Sequence, residues 1–275
     1  MSDVLVTGGS GLLGREVVTR LGAAGHTVRI LSRSGSADPR AVPGDLGTGA
    51  GLDAAVDGTA VIVHCASDPR DPQRVDVAGT RRLVDAARRA GRPHVVDVSI
   101  VGVDRIPWAY YRAKAQAEEL VRTSGLPWTV LRATQFHEFT AALLARLTRM
   151  PVVLAPRGWR LQPVDVGEVA TRLAVAVDDG PAGRLPDLGG PDVLSISYLA
   201  RLYLDATDRR RPIVPLPVPG ALSAALRAGA NLAPGSRSEG STFAQFLAEW
   251  TDARHPATAA GRRLTTPASS HRRRP

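Results

Sequence analysis

The 275-residue sequence predicts an α/β fold, a doubly wound parallel sheet with a small C-terminal lobe. Three observations predict it. Short apolar runs alternate with amphipathic helical stretches from Val4 to Arg132. The first run and the first helix are joined by a cluster of glycines. Beyond about residue 150 the alternation breaks down, as an appended lobe would require. The expected division is 1–150 for the sheet domain and 151–260 for the lobe, some of whose segments return to the sheet core. Residues 261–275 are expected to be a basic, disordered tail.

Composition narrows the class. Hydrophobic residues make up 44% of the chain, enough for a large core. The apolar stretches at 61–63 and 141–145 are far too short to span a bilayer. The chain enters a strand at once, which leaves no place for a signal peptide, and the single cysteine, Cys65, excludes an internal disulfide; a cytoplasmic protein is expected. The net charge is +9, but six arginines against Asp252 in residues 251–275 account for +5 of it. The remaining +4 is modest and no aromatic interleaving accompanies it, so nucleic acid is not the expected partner.

Val4-Leu5-Val6 forms the first strand, and Leu12, Leu13, Val17, Val18 and Leu21 give the first helix its apolar side. Between them lie Thr7, Gly8, Gly9, Ser10, Gly11, Leu12, Leu13 and Gly14, which fit both G-x-G-x-x-G and T-G-x-x-G-x-x-G. In a strand–turn–helix context this is a dinucleotide-binding fingerprint of the Rossmann type. The early glycines let the chain turn and a pyrophosphate approach the backbone, the last lets helix and strand pack closely, and the helix N-terminus favours the anion.

Residues 27–32 form the second strand, with Ser32 and Arg33 at its end. A carboxylate there would select the ribose 2′-hydroxyl of NAD, whereas an arginine suits the 2′-phosphate of NADP. No Asp or Glu lies between Thr27 and Ala37, so NADP(H) is the expected cofactor, with NAD(H) the lesser option; a merely solvated Arg33 is the plain alternative. Residues 42–46 read as a short strand ending in Asp45 and Leu46, beside the adenine or simply in a turn. A short helix falls within 47–59. Residues 60–66 are a continuous apolar strand of the kind buried on both faces. It ends in His64, Cys65 and Ala66, with Cys65 and Ala66 placed at the cofactor. No metal-ligand spacing occurs.

A helix is expected over 76–90, a strand over 95–99, a helix over 110–124 and a strand over 128–132. Ser99 falls at a strand's carboxyl end, where open sheets bind ligands. Tyr110 and Lys114, four residues apart, share one helix face. A phenol titrates near ~10, and a nearby ammonium should lower that value. Tyr110 is then a proton donor or acceptor for a carbonyl or alcohol oxygen, Ser99 a hydrogen-bond partner of the same oxygen, and Lys114 a further contact for the nicotinamide ribose. Tyr111, three residues from Lys114, is a rival. Gln135, Phe136 and His137 follow the last of these strands and are candidate substrate contacts. Further on, helices are expected over 139–150, 167–177, 197–207, 219–230 and 241–250, with strands at 152–154, 184–188 and 213–216, and Asp165 caps the helix that begins at 167.

Taken together, the glycine motif, His64-Cys65-Ala66, Gly79-Thr80, Ser99, Tyr110-Tyr111-Arg112-Ala113-Lys114 and Pro163-Val164-Asp165-Val166 resemble the short-chain dehydrogenases/reductases of the extended or atypical kind, close to the NmrA-like NAD(P)H-binding group. The resemblance covers roughly the first 180 residues. It implies a catalytic triad of Ser99, Tyr110 and Lys114 and a C-terminal segment that holds a small-molecule substrate. It departs from the family at Asp76, where Asn is common and distorts the helix. The activity it implies is hydride transfer between NADP(H) and a small carbonyl or alcohol. Two alternatives are a non-catalytic NADP(H)-binding redox sensor, as in NmrA-like members that lost the tyrosine, and an NAD(P)-using epimerase or dehydratase.

Overall fold

The computed structural model describes residues 1–33, 38–236 and 238–254. The tail expected at 261–275 lies outside the described residues. Strand β1 (Asp3–Thr7) has Val4, Leu5 and Val6 fully buried. Val4 and Val6 point into one core and Leu5 into another, as the twofold period of a strand dictates. Helix α1 (Leu12–Ala23) packs Leu13, Val17, Val18 and Leu21 on the Val4/Val6 face. Each such fully buried side chain contributes about 1.5–3 kcal/mol. The helix closes with paired bonds from Gly25 N–H to the Gly22 carbonyl and from His26 N–H to the Leu21 carbonyl.

β2 (Thr27–Ser32), β3 (Ala41–Pro43), α2 (Leu52–Val56) and β4 (Val61–His64) follow. A wide π-helical turn, Gln73–Gly79, runs directly into α3 (Thr80–Arg89). Then come β5 (His94–Ile100), α4 (Ala109–Arg122) and β6 (Trp128–Ala133). Helices α2, α3 and α4 cover the Leu5 face through Leu52, Leu83, Val84 and Val121.

The second half interleaves with the first. Its elements are α5 (His137–Leu147), β7 (Val153–Pro156), β8 (Arg160–Leu161), α6 (Val166–Asp179), β9 (Gly183–Arg184), β10 (Leu194–Ser195), α7 (Ile196–Ala206), β11 (Ile213–Leu216), α8 (Ala221–Arg227) and α9 (Phe243–Arg254). α6 returns to the sheet and packs Val169, Leu173 and Val177 into the core beneath α1. Asp165 caps it, accepting from the Gly167 and Glu168 amides. β9 pairs with β6 and completes a seven-stranded sheet, order β3-β2-β1-β4-β5-β6-β9, parallel throughout. α5 instead joins a separate core with β7, α7 and α9, built on Leu144, Leu199, Phe243 and Leu247. The lobe therefore takes α5 from before residue 150 and gives back α6 and β9 from after it. The strand expected at 184–188 shrinks to two residues plus a bridge from Leu188 to Ala133. β8 and β10 pair antiparallel over two residues each, too short to carry a readable period. Among the described residues, no helix is long and apolar enough to cross a membrane.

Candidate active site

The strand order reverses at β1, which has β2 on one side and β4 on the other. A crevice opens outside the carboxyl ends of strands at such a point. The glycine turn lies in it. Gly8 has φ +69°, and a Cβ there would stand 2.8 Å from the Ala66 backbone. A Cβ on Gly14 would fall onto the Gly8 carbonyl and 2.7 Å from the Gly9 Cα. The Gly11 amide donates to the Gly8 carbonyl at 2.9 Å, which tightens the turn. Gly11 is the N-cap of α1 and offers no side-chain cap, so the amides of the first turn and the helix dipole serve the cleft. Gly9 and Thr7 act from below: a Cβ on Gly9 would meet Ile30, and Thr7 is fully buried.

Thr7 belongs to a hydrogen-bonded chain. The Thr80 hydroxyl donates to the Asp76 carbonyl, so it accepts from His64 Nε2–H at 2.9 Å. His64 Nδ1 is left to accept from the Thr7 hydroxyl at 2.7 Å, and that oxygen accepts from the Ala66 amide at 3.3 Å. Burial, aided by the Lys114 charge, pushes His64 down to about 3, so this imidazole is neutral and structural. Burial pushes the Cys65 thiol up to about 12. Among the described residues, no cluster of three or more His, Cys, Asp or Glu could hold a metal.

Two cavities meet at the turn. The first, of about 300 Å³, is lined by Ser10, Ser32, Arg33, Asp45, Leu46 and Ala66 among others. Arg33 is exposed there. Asp45 also holds its own turn, accepting from the Gly47 amide at 2.8 Å. The second, of about 450 Å³, is lined by Leu12, Leu13 and Gly14 at one side and by Ser99, Tyr110, Lys114, Gln135 and Phe136 at the other. Gly8, Gly11, Cys65 and Ser67 line both. One elongated molecule can therefore lie across the helix N-terminus with an end in each cavity, which is the shape a dinucleotide requires.

The second cavity brings together the three expected catalytic residues. The Ser99 hydroxyl is buried and has no hydrogen-bond partner among the described residues. Tyr110 lies 2.8 Å from the Ser67 hydroxyl. Ser67 donates to Asp76 Oδ1 at 2.6 Å, so Tyr110 is the donor to Ser67. Asp76 Oδ2 accepts from the Asp68 amide at 3.1 Å, and Lys114 Nζ lies 3.9 Å from Asp76 Oδ1. The helix distortion expected of Asn at this position is thus present with Asp76, inside the π-helical turn. Burial opposes the Lys114 charge, but Asp97, Tyr110 and Asp76 outweigh it and hold the ammonium above its ordinary range. The Tyr110 phenol is raised, not lowered: burial outweighs both Lys114 and the Ser67 bond. Tyr111 is pushed up to about 12 by burial, is hydrogen-bonded to the Gln135 side chain and packs against Val103, Ile106 and Ala230. That packing ties down the rival tyrosine.

Gln135 is braced by the Gln162 amide and the Asn231 carbonyl, each at 3.3 Å. His137 does not reach the cavity. It is fully buried, donates from Nε2 to the Ser241 carbonyl at 2.9 Å and stacks on Phe246 at 5.1 Å. Successive helix residues point about 100° apart, and the phase of α5 that aims Phe139 at the cavity turns His137 into the lobe. Sequence reasoning missed Ser67, whose only signal is its place just after His64-Cys65-Ala66, and the aromatic wall of Trp108 and Phe139.

It also missed Asp97, buried on β5, whose carboxylate has no side-chain hydrogen-bond partner among the described residues. Burial pushes its carboxyl up to about 6 against the pull of Lys114. A folded-state pKa above the unfolded value favours folding at low pH, and that preference is lost as pH rises through about 6. Asp97→Asn should therefore lack this pH dependence, so that its stability relative to wild type rises with pH. By urea unfolding, that relative stability should be higher at pH 8 than at pH 5 by on the order of 1 kcal/mol; an equal difference at both values would contradict the desolvated carboxylate.

A family model described as NAD(P)H-binding matches residues 8–170. A (4-alkanoyl-5-oxo-2,5-dihydrofuran-3-yl)methyl phosphate reductase of Streptomyces griseus is 32% identical over 204 residues, 70% of this chain and 69% of that protein. The chain spans only 24% of longer Mycobacterium proteins to which it is 26% identical. An NADPH-dependent quinone oxidoreductase from Escherichia coli, complexed with NADPH, superposes with a TM-score of 0.74 at 16% identity, covering 90% of this chain and 99% of that one. A short-chain dehydrogenase/reductase superfamily protein from Agrobacterium tumefaciens with bound NAD gives 0.71 at 23% identity, covering 95% and 99%. At these identities the structural likeness establishes the shared fold.

Proposed function

The chain belongs to the NAD(P)H-binding family, and on that premise we propose that it is an NADP-dependent oxidoreductase that reduces the carbonyl of a small molecule, with Tyr110 as proton donor. One observation carries the reading: Ser99, Tyr110 and Lys114 line a cavity continuous with the glycine turn, and the Ser99 hydroxyl there has no hydrogen-bond partner among the described residues. A bound NADPH supplies the hydride. Ser99 offers its hydroxyl to the substrate oxygen. Tyr110, kept protonated at neutral pH by burial, delivers a proton to that oxygen from Oη. Lys114 stabilises the phenolate left behind, and Ser67, fixed by Asp76, holds the ring in place.

The turn and the first cavity support the cofactor assignment. Gly8, Ser10, Gly11 and the start of α1 would hold the pyrophosphate, and Asp45, Leu46, Cys65 and Ala66 would border the adenosine and its linkage. Ser32 and Arg33 would meet the 2′-phosphate, for which an arginine fork is the better match. Arg33→Ala should then weaken NADPH binding by roughly tenfold or more while leaving NADH nearly unchanged. Isothermal titration with both cofactors checks this, and equal losses would refute the role of Arg33.

The activity itself is tested by following NADPH binding and oxidation with aldehydes, ketones and quinones. Turnover of an acceptor supports the reductase. Binding without turnover of any acceptor would favour a redox sensor instead.

A further inference from the structure

The reductase reading leaves the substrate unnamed, and the second cavity has a chemistry of its own. Leu12, Pro69, Ile100, Trp108, Phe136 and Phe139 give it an apolar side. Leu12, Trp108 and Phe139 are 40%, 45% and 52% exposed, although large apolar side chains gain by burial. All three border the same cavity. Among the described residues the one cation on its wall is Lys114, which is buried and faces Asp76 at 3.9 Å. The start of α5, a helix N-terminus beside the cavity, already carries Glu138 in its first turn.

Resting on the reductase reading, we propose that the substrate is an uncharged apolar ketone or aldehyde whose aryl or alkyl body lies between Trp108 and Phe139. A phosphate ester does not fit. Phosphate recognition calls for an arginine fork or an uncommitted lysine, and a buried anion without such a partner is strongly disfavoured. The Streptomyces relative is named for a phosphate-bearing substrate. Among the described residues this chain's wall has no arginine, and its lysine lies 3.9 Å from Asp76 and is held charged by nearby carboxylates. The likeness in fold and cofactor cleft therefore does not extend to the substrate's charge. The cavity of about 450 Å³ is shared with the nicotinamide end of the cofactor, so the space beside it suits a small molecule.

The test is direct binding, independent of turnover. Acetophenone, butyrophenone, hexanophenone and 4-acetylphenyl phosphate are titrated calorimetrically into the full chain, with and without saturating NADP+. Affinity should tighten roughly three- to fourfold per added methylene while the wall has room. The phosphate should bind at least tenfold more weakly than acetophenone. Trp108→Ala and Phe139→Ala, both at exposed positions and each checked for folding by urea unfolding, should each erase most of the gain of hexanophenone over acetophenone. A flat series in wild type, or a phosphate that binds as well as acetophenone, overturns the proposal. A failure of NADP+ to bind overturns the reductase reading instead, and the order of the ketones still judges this one.

Discussion

Tyr110→Phe should bind NADPH as wild type does and reduce an acceptor at no more than about one hundredth of the wild-type rate, the ordinary worth of a positioned general acid. The phenyl ring keeps its edge contacts, 5.8 Å to Trp108 and 6.3 Å to Tyr111 between ring centres, so the variant loses a proton and little packing. It also loses the bond to Ser67, a net cost of about 0.5–1.5 kcal/mol in stability. That is too little to unfold a domain of this size, and urea unfolding separates the two effects. Turnover within threefold of wild type, at equal cofactor affinity, would remove Tyr110 from the chemistry.

The second large effect is expected at Gly14. An alanine there gains about 1 kcal/mol in helix propensity. Against this, its methyl would occupy the place of the Gly8 carbonyl and crowd the Gly9 Cα at 2.7 Å. Those are backbone atoms that cannot swing aside, so α1 must move off β1. Overpacking of this kind costs about 1–3 kcal/mol or more. The contact outweighs the propensity, and the displaced helix start takes the anion-binding amides with it. Gly14→Ala should lose NADPH affinity by a hundredfold or more and unfold at lower urea concentration. Unchanged affinity would mean that the turn does not hold the cofactor.

Much of this was legible in the residues, for reasons that are local. Val4 to Val6 and Val61 to Val63 read as strands because residues buried on both faces leave an unbroken apolar run. Tyr110 and Lys114 could be paired because four residues is one helical turn. The rest depends on what approaches from elsewhere. Periodicity gives both α5 and α6 an apolar face but cannot say that α6 returns beneath α1 while α5 leaves for the lobe. His137 and Phe139 are two positions apart, and only the docked phase of α5 decides which meets the cavity. The sign of the Tyr110 shift follows from desolvation, which belongs to the assembled site, whereas the Lys114 spacing alone pointed the other way. Asp97 had no signal at all: its meaning lies in burial without a side-chain hydrogen-bond partner among the described residues.

The late return of α6 and β9 has a consequence for biosynthesis. Val4, Val6 and Val63 share their core with Val169, Leu173 and Val177, which follow more than a hundred residues later. At roughly 5–20 residues per second on the ribosome, an emerging sheet waits on the order of ten seconds for the helix that seals that side. During that interval α1 packs on β1 and β2, while the faces of β4, β5 and β6 that α6 later meets wait for it. The newborn chain thus depends on its first helix for solubility before it ever depends on it for a cofactor.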